Sequence, residues 1–267
     1  MIRVAVLGAA GRMGRALVQA IVNDSETALS GATEVAGNDL LGQDAGVVAG
    51  VGAQGVALTD CLASVLSPSD AVIDFTSPDV TVANARAAVE AGCSIVVGTT
   101  GLTSDQRREL EGLAGTGRIV LAPNMSVGVN LLFHLCDQVT RILGEEYDIE
   151  VTEMHHNRKK DAPSGTAVRL GEVLAAARGL DPERDIRHGR VGAVGARPHG
   201  EIGMHALRGG DVVGEHTVLF ATDGERVELT HKASTRETFT RGAVRAVKFL
   251  ADHPASLYDM QDVLGLR

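Results

Sequence analysis

The seven residues Gly8-Ala9-Ala10-Gly11-Arg12-Met13-Gly14 constrain the fold more than any other part of the chain. They follow an apolar run, Ile2–Leu7, that reads as a buried strand, and they open an amphipathic helical pattern over Arg12–Val22. A strand, a glycine turn and a helix in that order make the first part of a βαβ unit. The turn also has a chemical use. Without a Cβ in the way, a pyrophosphate can reach backbone N–H groups at the start of the helix, where the dipole favours negative charge. The spacing is GxxGxxG and not the commoner GxGxxG, so a turn of purely structural use is the alternative. The flanking strand and helix favour nucleotide binding.

The same alternation continues. Residues 71–75 read as another buried strand, and Ser77 stands as a helix N-cap with Pro78 at the first helical position and Gly92 just past the run 78–91. Residues 94–98 and 118–122 supply further strands around a polar helix at about 104–115. The predicted fold class is α/β, with an N-terminal Rossmann-type, doubly wound parallel sheet. Composition agrees: aromatic residues make up 3% with no Trp, and glycine reaches 32 copies, so the core is aliphatic and the turns are tight.

After Pro123 the pattern changes. A long helix over Val127–Leu143 leads to a strand at 148–154, a loop and a helix at 166–178, followed by strands at 202–207, 212–215, 217–222 and 226–231. Asp223-Gly224 is a two-residue hairpin turn. This predicts a C-terminal α+β substrate domain with an open mixed sheet. Ser234 and Glu237 suggest a capping box for a last helix over Glu237–Ala251, whose apolar stripe (Phe239, Ala243, Val247, Leu250) needs a face to cover. The expected division is therefore 1–126 with 236–267 for dinucleotide binding, and 127–235 for substrate binding and oligomerisation.

Three further segments belong with the glycine turn. Glu34 lies about 20 residues beyond Gly14, near the end of the second strand, where an acid can accept hydrogen bonds from both adenosine ribose hydroxyls. Taken by itself it reads as a solvated surface acid. Gly98-Thr99-Thr100 and Ala122-Pro123-Asn124-Met125 each follow a strand, which puts them on the carboxyl edge of the sheet where ligands of such folds bind; ordinary turns are the alternative.

The densest polar chemistry runs from Glu153 to Thr166. His155, His156, Arg158, Lys159 and Lys160 set a local positive field in a chain of net charge −9, suited to binding a dicarboxylate and donating protons. A solvated charged loop is the usual alternative for such a run. Against it, Ser164-Gly165-Thr166 opens a helix whose first amides add a carboxylate site beside the cations. A metal at His155 and His156 is disfavoured, because adjacent side chains diverge on an extended backbone and the neighbouring cations repel an ion. No GxSxG nucleophile elbow is present.

The acidic balance disfavours nucleic acid, and no run approaches the roughly 18 apolar residues of a membrane helix. Cys61, Cys93 and Cys136 are odd in number and lack a CxxC pair, and no signal segment precedes the first strand, so a reducing, cytoplasmic setting is expected. These readings point to an oxidoreductase that uses a nicotinamide dinucleotide on a small dicarboxylate. A dehydrogenase acting on another amino-dicarboxylate, or a dinucleotide sensor without turnover, is the alternative; a sensor has no need of a His/Lys pair beside an anion site.

With these residues in hand, the chain resembles the dihydrodipicolinate reductases, also called 4-hydroxy-tetrahydrodipicolinate reductases, of the diaminopimelate route to lysine. The likeness spans essentially the whole chain through GAAGRMGRAL, DFTSP at 74–78, VGTTG at 97–101, APNMSVGVN at 122–130, EMHHNRKKDAPSGTA at 153–167, GDVVGEHTVLF and ERVELTHKAS. The resemblance implies His155 as general acid/base, Lys159 as the proton donor beside it, and His156, Gly165 and Thr166 as substrate contacts, with Lys160 and Arg158 strengthening the anion pocket. It implies NADH or NADPH held by Gly8, Ala9, Ala10, Gly11, Arg12, Met13, Glu34, Gly98, Thr99, Thr100 and Ala122 to Met125, no metal, and a homotetramer whose domains close on binding. Where some relatives carry Arg after the ribose-binding Glu, this chain has Val35, which leaves the choice between NADH and NADPH open.

Overall fold

The computed structural model describes residues 1–267 and divides them into two compact units, Met1–Val127 with Glu237–Arg267, and Gly128–Arg236. Strands and helices are numbered along the chain.

The first unit is built on β1 (Ile2–Leu7), β2 (Thr27–Thr33), β3 (Leu58–Thr59), β4 (Ala71–Asp74), β5 (Ser94–Val97), β6 (Arg118–Leu121) and β12 (Ser256–Tyr258). They form one parallel sheet in the order β12-β6-β5-β4-β1-β2-β3. Because helices cover both faces, the strands are apolar on both sides. Val4, Val6, Ile73, Val96 and Val120 face α1 (Arg12–Val22) and α9 (Glu237–Ala251). Ala5, Leu7, Val72, Ile95, Val97 and Ile119 face α3 (Leu62–Leu66), α4 (Pro78–Glu90) and α5 (Ser104–Gly112). Short α2 (Ala45–Ala49) and α10 (Met260–Leu264) complete this unit. Strand order reverses between β1 and β4, so the loops leaving these two strands flank the switch point where such sheets bind ligands.

Two expectations change here. Ser77 does occupy the N-cap of α4, but its hydroxyl makes no capping bond; its carbonyl receives the Val80 and Thr81 amides instead. The edge strands β3 and β12 are too short to leave a period-2 pattern and were not expected.

The second unit is a mixed sheet in the order β11-β10-β7-β9-β8. Its strands are β7 (Asp148–His155), β8 (Ile186–His188), β9 (Ile202–Arg208), β10 (Gly214–Thr222) and β11 (Glu225–Ala233). β7, β9 and β8 run parallel, and β10 and β11 antiparallel to their neighbours. α6 (Val127–Leu143) and α7 (Gly165–Arg178) cover one face, burying Leu132, Phe133, Leu170 and Leu174 against Ile149, Val151, Val218 and Phe220; α8 (Pro182–Asp185) is a single turn. The strands expected at 212–215 and 217–222 are one strand, since 211–213 lie outside β10 and pairing runs unbroken from Gly214 to Thr222. The hairpin turn falls at Asp223-Gly224, with Gly224 at φ +90°. α9 begins at Glu237, which leaves Ser234 ahead of the N-cap position and removes it from the suggested capping box.

Candidate active site

The glycine turn is packed tightly enough to dictate its residues. Gly8 sits at φ +68°, and a Cβ on Gly14 would lie 2.1 Å from the Gly8 carbonyl oxygen and 2.5 Å from Ala9 Cα. Gly11 occupies the N-cap of α1 without any side-chain cap, so the first-turn amides of Arg12 and Met13 face out of the helix end. This cradle suits a pyrophosphate. Glu34, the residue after β2, reaches back across it: one carboxylate oxygen accepts the Ala10 amide at 2.8 Å, the other the Val35 amide at 3.1 Å. The acid expected to hold a ribose thus also anchors the glycine turn; the Asn38 amide group donates to the Val35-bound oxygen at 3.4 Å, so acceptor capacity remains on the oxygen that takes the Ala10 amide. Val35 is 71% exposed and brings no charge beside it.

The remaining dinucleotide candidates line the same carboxyl edge. Asp74, completely buried at the end of β4, accepts the Thr76 amide (2.8 Å), the Thr76 hydroxyl (2.6 Å), the Asn84 amide group (2.9 Å) and the Thr99 hydroxyl (3.3 Å). One carboxylate therefore fixes the turns after β4 and β5 together. The Phe75 ring lies where a Gly98 side chain would start, with Cζ 2.2 Å from the ideal Cβ, so only glycine fits. Thr99 is buried and Thr100 exposed. In the turn after β6, Ala122 and Met125 are buried, Pro123 is exposed, and Asn124 accepts the Ser126 amide at 2.8 Å. Gly242 of α9 closes on this turn: a Cβ there would stand 1.7 Å from the Met125 carbonyl oxygen.

In the second unit, strand periodicity assembles the polar centre. Ile149, Val151, Glu153 and His155 alternate onto one face of β7, the face that α6 and α7 cover. Arg208 of β9 stands opposite His155, and His216 of β10 opposite Glu153. Glu153, with a side chain 0% exposed, accepts both Arg208 guanidinium nitrogens at 2.9 Å, the Ser164 amide at 3.0 Å, and pairs with His155 Nδ1 at 2.6 Å. Burial pushes its carboxyl upward, but Arg208, His155 and the Ser164 amide outweigh that and hold it below the usual carboxylate range. Four contacts from three residues keep the ion buried.

Around this centre the other candidates fall into place unevenly. Lys159 pairs with Asp161 at 2.9 Å, while Lys160 is exposed. His156 leaves the strand, its amide donating to the Val212 carbonyl at 2.8 Å, and its Nδ1 is buried without a partner. Burial, and then the charges of Arg158 and Arg236, lower its pKa. His216 contacts the Ser164 hydroxyl at 3.1 Å and sits edge-on to His155 at 5.3 Å; burial and then His155 push it down to about 4, so it stays neutral near pH 7. Ser164 caps α7 by accepting the Ala167 amide at 3.2 Å, which presents Gly165 and Thr166 in the first turn. No group of three or more His, Cys, Asp or Glu is placed to hold a metal ion.

Sequence reasoning missed Glu153, Arg208, Asp74 and His216 as site residues. The first three carry a readable signal: each is a charge at an inward position of an apolar alternating strand or at its end.

Family models named dihydrodipicolinate reductase match the chain twice, the N-terminal model over residues 2–125 and the C-terminal model over 128–264. The chain belongs to the dihydrodipicolinate reductase family. The 4-hydroxy-tetrahydrodipicolinate reductase of Anaeromyxobacter sp. (strain Fw109-5) is 52% identical over 267 residues, covering 100% of this chain and 99% of its own. That of Chromohalobacter salexigens is 52% identical over 268 residues and covers 100% of both. Among solved structures, a dipicolinate-bound dihydrodipicolinate reductase from Paenisporosarcina sp. TG-14 superposes with a TM-score of 0.79 at 23% identity over 98% of each chain. A putative myo-inositol dehydrogenase from Sinorhizobium meliloti reaches 0.62 at 11% identity, over 100% of this chain and 94% of its own. These two share the fold. Dihydrodipicolinate reductases use NADH or NADPH, and their N-terminal unit is the dinucleotide-binding one.

Proposed function

We propose that the chain catalyses the NAD(P)H-dependent reduction of 4-hydroxy-tetrahydrodipicolinate to tetrahydrodipicolinate. The observation that carries this reading is full-length identity of 52% to reductases of that name. The pairing of buried Glu153 with His155, beside the cationic loop and the start of α7, agrees with it.

The bound cofactor supplies hydride. In the reading we favour, the cradle of residues 8–13 holds its pyrophosphate, Glu34 its adenosine ribose, and the turns at 98–100 and 122–125 its nicotinamide half. Gly165 and Thr166 offer first-turn amides to a substrate carboxylate, with Lys160, Arg158 and His156 around it. His155, oriented through Nδ1 by Glu153, presents Nε2 as the proton-transfer atom, and Lys159 serves as a second proton donor. Hydride and a proton enter the ring as water leaves, and solvent restores the proton to His155. We further read the protein as a cytoplasmic homotetramer, a reading supported by three free thiols and by the unpaired outer edge of β11.

The test is NADH oxidation at 340 nm with freshly made product of the preceding synthase. Steady turnover is expected. Turnover only with oxaloacetate and ammonia would assign another amino-dicarboxylate dehydrogenase, and cofactor binding without turnover of either would assign a sensor.

A further inference from the structure

We infer that Glu153, held by Arg208, is the positioning residue of the reaction: it fixes the proton of unliganded His155 on Nδ1 and leaves Nε2 to the substrate. The inference rests on the proposed reductase function for its kinetic part only.

The geometry leaves Glu153 little choice. Its side chain is completely buried, each oxygen receives an Arg208 nitrogen at 2.9 Å, and the Ser164 amide holds one of them at 3.0 Å. The carboxylate therefore cannot rotate away from His155 Nδ1, 2.6 Å distant. An ionised carboxylate only accepts, so the shared proton belongs to the imidazole and the neutral ring carries its lone pair on Nε2. No protein group bonds Nε2, and the glycine at 214 keeps its surroundings clear, since a Cβ there would stand 3.0 Å from that nitrogen. When Nε2 takes up a proton, the imidazolium forms opposite a fixed negative charge; when it gives that proton to substrate, the ring returns to the same tautomer. The Ser164 amide lies one residue before Gly165, so the same carboxylate also ties the proton-transfer residue to the start of α7.

Glu153→Gln tests this because an amide oxygen can keep the Ser164 and one Arg208 contact, while the amide NH2 now faces Nδ1 and demands an acceptor there. The ring must then carry its proton on Nε2, the wrong atom. Nitrogen-15 NMR of the imidazoles, with the His155 signals assigned by their loss in His155→Gln, should show the Nδ1–H tautomer in the unliganded wild-type protein and Nε2–H in the variant. kcat should fall about 10²- to 10⁴-fold, with NADH affinity within about threefold of wild type. Glu153→Asp, which keeps the charge, should recover part of kcat. An Nε2–H tautomer in the wild-type protein overturns the inference whatever the variants do, as does a Gln variant with kcat near wild type. A wild-type protein without reductase turnover defeats the functional reading instead, and the tautomer measurement still decides the role of Glu153.

Discussion

Replacing Gly14 by alanine adds one methyl group where the structure has no room for it. The new Cβ would stand 2.1 Å from the Gly8 carbonyl oxygen and 2.5 Å from Ala9 Cα, whereas ordinary contact begins near 3.4 Å. Both obstacles are backbone, so no rotamer change relieves them, and α1 must retreat from the turn by about 1 Å. Overpacking of this kind costs roughly 1–3 kcal/mol, and a backbone clash on two sides belongs at the upper end. The retreat also carries the Arg12 and Met13 amides away from the pyrophosphate position. Losing one hydrogen bond to a charged group, roughly 1.5–3 kcal/mol, weakens NADH binding about 10- to 100-fold. Calorimetric titration with NADH and a thermal scan read both effects, and Gly112→Ala is the control. Gly112 closes α5 with nothing within 4 Å of its ideal Cβ, so alanine there should be neutral or stabilise by up to about 1 kcal/mol. A Gly14→Ala protein that binds NADH within twofold of wild type, at an unchanged Tm, would refute the argument that this glycine is dictated by backbone contact.

Other perturbations address the remaining parts. His155→Gln and Lys159→Ala should each lower kcat by at least about 10²-fold while leaving the NADH Kd in place; near-normal kcat in either removes that residue from the chemistry. Pyridine-2,6-dicarboxylate should compete with substrate and bind more weakly to Thr166→Val, and unchanged inhibition would put the carboxylates elsewhere. NADH should serve at least as well as NADPH, because Glu34 opposes a 2′-phosphate and Val35 adds no cation; a tenfold preference for NADPH in kcat/KM would show that another group governs the ribose pocket. Burial pushes the Glu150 carboxyl up, but Arg190, His205 and Arg197 overcome this and hold it at about 2 instead of 4.5, which corresponds to roughly 3 kcal/mol of stability before solvent screening. A depressed carboxyl stabilises above its unfolded value and loses that contribution as pH falls from about 5 towards 2. The stability gap between wild type and Glu150→Gln in urea should therefore shrink over that range, and a gap independent of pH would discount the Glu150 cluster.

The parallel unit was legible because its signals are local. Ile2–Leu7 and Arg12–Val22 match the structure at both ends, since a buried strand, a glycine turn and an amphipathic helix each mark themselves within a few residues. Segments with weak periodicity were not legible. β3 has two residues and β12 three, and their places depend on partners far away in sequence. The candidate site divides in the same way. His155, Lys159 and the glycine turn stand out by composition, whereas Arg208 becomes part of the site only when β9 pairs with β7 and brings it opposite His155. Asp74 illustrates a second reason. Its four hydrogen bonds come from three residues on three segments, so the cost of burying it is met by contacts that no single window of sequence contains.

The return of α9 and β12 to the first unit bears on the order in which the protein can be made. Both elements follow the second unit in the chain, so a ribosome finishes residues 128–236 before the parallel sheet has its last strand. Until then Val4, Val6, Val96 and Val120 lack the helix that carries Ala243, Val247 and Leu250, and the turn at 122–125 lacks Gly242 against it. The nascent nucleotide unit therefore waits, with one sheet face only partly covered, while the unit encoded inside it can already fold. A chain that stops at residue 236 would keep every residue assigned here to the cofactor, yet it would expose an apolar face where the complete protein has core.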